Sequence, residues 1–249
     1  MDTFDPGAHR TIGIQDRIAA ADALALAGDP RLCTPDKADY WVETPAGRGW
    51  VGSTKMDMRS PVYDPDRFDW EMDPEQVHVE RPFQIGRYPV TVHEYQHYLE
   101  LPGVKGKPPE EWGEQIKHPS RPVVYISRED AEAYCDHYHC MLPTEQQWEY
   151  AARGPGEKPR RYPWGDRPPD ETLLNFNRNI GHPTPVGLFP EGNTPQGVSD
   201  MAGNVWERTS DRRWKGGSYG SSAPRVRSAF RVDDGVDASG DDGFRCVRE

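Results

Sequence analysis

Apolar residues recur with a clear helical period early in the chain. In residues 14–28 (IQDRIAAADALALAG), Ile14, Ile18, Ala21 and Ala25 fall on one stripe, and Gly28 followed by Pro30 stops it. This predicts an N-terminal amphipathic helix. Next, Trp41-Val42-Glu43-Thr44 and Gly49-Trp50-Val51-Gly52 flank Pro45-Ala46-Gly47, which predicts a hairpin of short strands. Residues 54–76 are acidic and carry prolines, so a loop is expected there. From Val77 to Val90 the pattern partly alternates through Val77, Val79, Phe83, Ile85 and Tyr88, the mark of a half-buried extended run, interrupted at Pro82.

Three further helices are announced by their starts. A side-chain oxygen that accepts a free backbone N–H, with an acid or amide three residues on, caps a helix. Thr91 with Glu94, Ser127 with Asp130, and Thr144 with Gln147 fit this pattern, and the third helix is stopped by Gly154. Residues 154–249 predict no comparable helix, only turns rich in Gly, Pro, Asn and Asp with short apolar islands such as Pro185-Val186-Gly187-Leu188-Phe189.

Composition agrees with a folded but loop-rich chain. Only 35% of the residues are hydrophobic, so 8 Trp, 11 Tyr and 7 Phe must supply much of the buried area. The 24 Gly and 25 Pro follow no period and break up helices and strands. A net charge of -11 opposes a phosphate-backbone binder, so nucleic acid is not an expected partner. No apolar run is long enough to span a bilayer, and MDTFDPGAHR lacks the layout of a secretory signal. The expectation is a cytoplasmic protein with reduced cysteines at 33, 135, 140 and 246.

Short motifs offer three chemistries. His93-Glu94-Tyr95-Gln96-His97 fits the HExxH zinc-hydrolase pattern, yet Glu94 has a capping role and His93 and His97 fall on the outer face of the helix. Gly216-Gly217-Ser218-Tyr219-Gly220 fits GxSxG, but no histidine follows Ser218. Cys135, His137, His139 and Cys140 offer soft ligands in one span, although Cys135 falls on the apolar side with Ala131 and Tyr134 and reads more simply as a buried thiol.

A longer series of words carries more weight. Met141 to Gly154 (MLPTEQQWEYAARG), Tyr162-Pro-Trp-Gly165, Pro185 to Pro190, Gly197 to Glu207 (GVSDMAGNVWE), Gly216-Gly-Ser-Tyr219 and Gly243-Phe-Arg245 together resemble the formylglycine-generating-enzyme (sulfatase-modifying factor) family. The resemblance spans roughly residues 40–249. It implies an α+β, C-type-lectin-like fold with short strands, preceded by a helical extension over 1–38, so that the domain proper runs over 39–249. Enzymes of this family that make formylglycine use two copper-binding cysteines between Gly-Gly-Ser and Gly-Phe-Arg, and residues 216–243 hold none. Gly220-Ser221-Ser222 stands near the place of the first. A related group uses histidine-bound iron, with most ligands on an additional N-terminal helical domain, for which this chain's N-terminal region is too short. A third branch consists of binding modules, including variable proteins diversified by retroelements.

On that resemblance the expectation is a non-enzyme, binding an unknown protein or other macromolecule through segment 216–245. The recognition residues would be Tyr219, Gly220, Ser221, Ser222, Phe230, Val232, Asp233, Asp234, Gly235, Val236, Asp237, Ser239, Asp241 and Asp242. The types at Gly220, Ser221, Ser222, Phe230 and Val232 to Asp242 can all arise from asparagine codons changed at adenines, as retroelement mutagenesis would do. Arg225, Arg227 and Arg231 fall at scaffold positions of the resemblance. No cofactor is required, but Asp200, Gly203, Val205, Glu207 and Asn175 match the family's structural calcium ligands; the alternative for Glu207 is a structural ion pair. Trp148, Trp164 and Trp206 read as core. The alternative function is a metal-dependent enzyme, either an oxidoreductase of the family or a zinc hydrolase built on His93, Glu94 and His97.

Overall fold

A computed structural model of the chain describes residues 3–234 and 239–249. Helix α1 (Ile14–Gly28) forms as its period predicts. Ile18 and Ala21 pack against Leu188 and Phe189, and Ala25 against Leu32 and Val186. Arg17 is buried on the same helix and donates to the Leu188 carbonyl. The N-terminal segment is thus sealed onto the body.

The expected hairpin does not form. Strands β1 (Trp41–Thr44) and β2 (Gly47–Val51) enter different sheets. β1 runs antiparallel to β4 (Phe83–Gly86), which continues to β9 (Val247–Arg248), while β2 pairs with β3 (Glu75–Val79). Tyr150 packs at the junction of β1 and β2. Its hydroxyl donates to the Pro45 carbonyl at 3.1 Å, and its ring packs so closely on Gly49 that a Cβ there would stand 2.7 Å away. A third sheet has the order β7 (Arg231–Asp233), β6 (Arg213–Lys215), β5 (Trp206–Arg208) and β8 (Asp242–Phe244), with β5 and β8 parallel.

The three capped helices are α2 (Val92–Glu100), α4 (Arg128–His137) and α5 (Glu145–Arg153); a short α3 (Trp112–Gln115), which no sequence signal announced, lies between. Thr91 with Glu94 and Thr144 with Gln147 make reciprocal capping boxes. Ser127 accepts from the Asp130 N–H, but its own hydroxyl turns to the Asp130 carboxylate at 2.6 Å, so that box is one-sided.

The core is aromatic, as composition requires. Tyr95, Tyr98 and Tyr134 form one cluster, and Tyr134 meets Phe244 edge-on at 5.4 Å. Trp148 is fully buried, whereas Trp164 and Trp206 are only partly covered. Buried ion pairs brace the irregular second half. Arg227 bonds Asp64 and Glu71, which ties the acidic loop of residues 54–76 to the C-terminal segment. Lys215 and Arg153 both bond Glu149; burial pushes that carboxyl up, but the two cations outweigh it and hold it below its ordinary value. Among the described residues, no helix is long and apolar enough to cross a membrane.

Candidate functional site

Two residues of segment 216–245, Tyr219 and Gly240, line a cleft of about 250 Å³. Ser218 anchors the turn before Tyr219: its hydroxyl donates to the Asp241 carboxylate at 2.6 Å and accepts from the Gly220 N–H, so it is a turn-former, with a structural carboxylate rather than a histidine beside it. Asp241 also accepts from Ser239 at 2.6 Å, and Asp242 accepts from the Ser239 N–H at 2.9 Å. These bonds hold the turn that carries Tyr219 and Gly240, which line the cleft together with Tyr125. Tyr125 has φ 58, a left-handed conformation costly for an aromatic residue, and its N–H donates to the Ser239 carbonyl. A Cβ at Gly240 would lie 2.7 Å from the Tyr125 hydroxyl, so any side chain there would displace that ring.

The floor comes from distant segments. Arg121 donates to Asp22 of α1 at 3.0 Å and lies 3.1 Å from His182 Nδ1; His118 Nδ1 lies 3.0 Å from the same Asp22 carboxylate. An arginine between the two imidazoles neutralises Asp22 and separates the histidines, so this chain of contacts is not a metal-ligand set. Glu111 and Glu114 complete the rim. Burial raises the Tyr125 phenol, and the neighbouring Glu111, Glu110, Tyr219 and Asp241 raise it further. Burial and Asp241 raise Tyr219 as well, against a lowering by Arg178. Both phenols are therefore hydrogen-bond donors at neutral pH.

The other expected site residues scatter. Ser221 is buried and its hydroxyl accepts from the Ser218 N–H, while Gly220 and Ser222 are exposed. Phe230 faces inward: it is 1% exposed and meets Phe68 edge-on at 5.4 Å, so it packs the core and cannot meet a ligand. Asp234 is clamped by Arg128 at 2.5 Å and Arg208 at 2.6 Å, which makes it a joint between helix and sheet. Val232 lies partly covered and Asp233 exposed on β7. Gly235, Val236 and Asp237 fall outside the described residues.

At the expected calcium positions, both oxygens of Glu207 take bonds from Arg245 at 2.5 Å, and one also takes the Trp148 indole N–H at 2.6 Å. The Glu207 carboxylate is therefore in the ion pair given as its alternative. Asp200 accepts from the Gly187 N–H at 2.7 Å and is raised to about 6 by burial. Gly203 packs on the Asn175 carbonyl, where a Cβ would lie 2.2 Å away, and the Asn175 side chain donates to the His182 carbonyl. Val205 is buried. In α2, Glu94 is buried and spends its carboxylate on the Thr91 N–H at 2.7 Å, with burial raising it to about 8, while His93 and His97 are exposed on the other side. The HExxH pattern does not assemble.

Among the cysteines, His137 and His139 do not join Cys135 and Cys140. Cys246 does: the three sulfurs lie within 4.8 Å of one another. Hydrogen bonds from Cys135 and Cys246 bring Cys140 down to about 5, and burial pushes Cys246 up.

The sulfatase-modifying factor enzyme 1-like domain matches residues 34–249. The chain belongs to that family. Hercynine oxygenase of Mycolicibacterium thermoresistibile is 34% identical over 166 residues, covering 54% of this chain and 37% of the relative. Inactive C-alpha-formylglycine-generating enzyme 2 of Bos taurus is 37% identical over 151 residues, covering 51% and 50%. The chain's match thus spans half or less of the length of these relatives. Among solved structures, PvdO from Pseudomonas aeruginosa superposes with TM-score 0.68 at 24% identity over 84% of this chain and 94% of that one. Treponema denticola variable protein 1 superposes with TM-score 0.58 at 18% identity, over 83% and 94%. Both share the fold.

These relatives correct the expectation of a non-enzyme. A sulfatase-modifying-factor domain similar to a named oxygenase is not excluded from catalysis by lacking one cysteine pair, because that pair serves one chemistry of several in the family. What the lack does exclude is thiolate-bound copper in segment 216–243. Ser221 there is engaged with the backbone, and a hydroxyl of far higher pKa does not replace a thiolate as a soft ligand.

Proposed function

We propose that this chain is the substrate-binding domain of an oxidoreductase of the sulfatase-modifying-factor family, and that it takes a positively charged ligand in the cleft between Tyr125 and Tyr219. The observation that carries the reading is the lining: the phenols of Tyr125 and Tyr219 share the cleft with the carboxylates of Glu111 and Glu114, Asp241 lies within electrostatic reach of both phenols, and Arg121 in the same lining is neutralised by Asp22. Phenol rings and carboxylates suit an ammonium or imidazolium group, through cation–π attraction and Coulomb attraction together. A volume of about 250 Å³ fits a ligand of amino-acid size.

Calorimetry with hercynine, a quaternary-ammonium derivative of histidine, tests this against histidine and a simple dicarboxylate. The ammonium compound is expected to bind, and Tyr219→Ala to weaken it by about 1 kcal/mol or more. Preference for the dicarboxylate would refute the reading. Oxygen uptake in the presence of the bound compound reads the oxidoreductase half separately.

The fold likeness to the variable protein supports a second reading, in which residues 219–222 and 239–242 at the cleft rim vary between copies. A reverse transcriptase beside the gene, with a near-copy of the codons for this segment, is its test.

A further inference from the structure

The three buried thiols lie away from the cleft, and the fold holds them together from three directions. Cys135 is in the last turn of α4. Cys140 follows it at the turn, its N–H bonded to the Cys135 carbonyl at 3.0 Å. Cys246 enters from the C-terminal strand, and its segment is locked to that of Cys140 by paired bonds between Met141 and Val247 at 2.9 and 2.8 Å. The Cys246 carbonyl is fixed in turn by the Gly86 N–H at 2.8 Å. None of the three sulfurs is in a disulfide.

We propose that Cys135, Cys140 and Cys246 form a binding site for a soft d10 cation, Zn(II) or Cu(I), held by three thiolates. The spacing fits. Thiolates around such a cation at about 2.3 Å lie about 3.8–4.0 Å from one another. The Cys135 and Cys246 sulfurs are 3.7 Å apart, and the third is within 4.8 Å of both. Closing the triangle therefore moves one sulfur by about an ångström at most. Thiolates select these soft cations over the hard ones that carboxylates and carbonyls prefer.

Two further observations point to a ligand. The hydroxyls of Tyr40 and Tyr134 are buried without a hydrogen-bond partner, and both rings pack in the cluster that holds the thiols, within electrostatic range of Cys246. An unpaired buried hydroxyl is costly, and a metal–thiolate centre with net negative charge supplies acceptors for O–H donors of this kind. The site also has an entry. Cys135 and Cys140 line a surface cavity of about 330 Å³ together with Asp136, Leu142 and Glu249, which gives a cation a path to two of the three thiols. Binding releases the thiol protons to solvent and changes no oxidation state.

The test uses the full chain, purified under reductant. Titration with Co(II), as the spectroscopic stand-in for Zn(II), is expected to produce the intense sulfur-to-metal absorption with a single cation per chain. Cu(I), delivered against a colorimetric chelator, is expected to compete for the same site. Cys140→Ser and Cys246→Ser should each lose that absorption, while Cys33→Ser keeps it. Zn(II) should raise the melting temperature of the parent chain but not that of Cys140→Ser, whose metal-free melting temperature serves as the folding control. The inference is overturned if the reduced chain takes up neither cation, if Cys140→Ser binds as the parent does, or if Cys135 and Cys246 prove to be joined in a disulfide in the reductant-treated protein.

Discussion

Arg245 is fully buried and has four acceptors: both oxygens of Glu207 and the carbonyls of Gly86 and Ser199. Removing one partner of such a pair leaves an uncompensated buried charge. Arg245→Met is therefore expected to cost about 3–5 kcal/mol in urea unfolding, far more than the same change at exposed Arg225. Glu94 makes a different kind of prediction. Its carboxyl is raised from 4.5 to about 8, so the fold favours the protonated form. That stabilisation is full below about pH 4.5 and is lost as the pH rises through about 8. Melting temperature should therefore fall across this window. Glu94→Gln, which can still accept the Thr91 N–H, should flatten the decline above pH 6. Asp200 and Asp242, each raised to about 6, act in the same direction lower in the range.

Elements depend on their ends. Thr144 caps α5, which carries Trp148, Glu149 and Arg153 into the core, so Thr144→Ala is expected to lower stability by about 1 kcal/mol, read by chemical denaturation. The capping boxes at Thr91 and Thr144 were legible because they are local: four consecutive residues contain donor and acceptor alike. The false hairpin at 41–52 was local too, but the two strands pair instead with β4 and β3, which lie tens of residues on in the chain. At the cleft, Gly240→Ala would place a Cβ against the Tyr125 hydroxyl and shift that ring. Binding of an ammonium ligand should weaken while the melting temperature stays close to that of the parent, because the displaced atom is the free end of a side chain. Calorimetry and a thermal melt on the same preparation separate the two effects.

Across the whole molecule, α1 is both a packing element and a supplier of the site, since it buries Ile18 against Leu188 and Phe189 and presents Asp22 to Arg121 and His118. Ile18→Ala is expected to cost about 2–4 kcal/mol by urea unfolding. Asp22→Asn should leave Arg121 uncompensated and weaken a cationic ligand in the calorimetric titration. The sequence by itself determined the family, the aromatic core, the positions of the capped helices and the absence of the cysteine pair between Gly216 and Gly243. Those features rest on composition or on residues near one another in the chain. Only the tertiary structure decided which of the variable-looking residues face outward. It turned Phe230 into the core, clamped Asp234 between two arginines, and set Arg245 on Glu207. It also joined Asp22, His118, Arg121 and His182 beneath the cleft, and Cys246 to Cys135 and Cys140. In each case the partners are dozens to more than a hundred residues apart, and no period or spacing along a chain records a contact that packing alone creates.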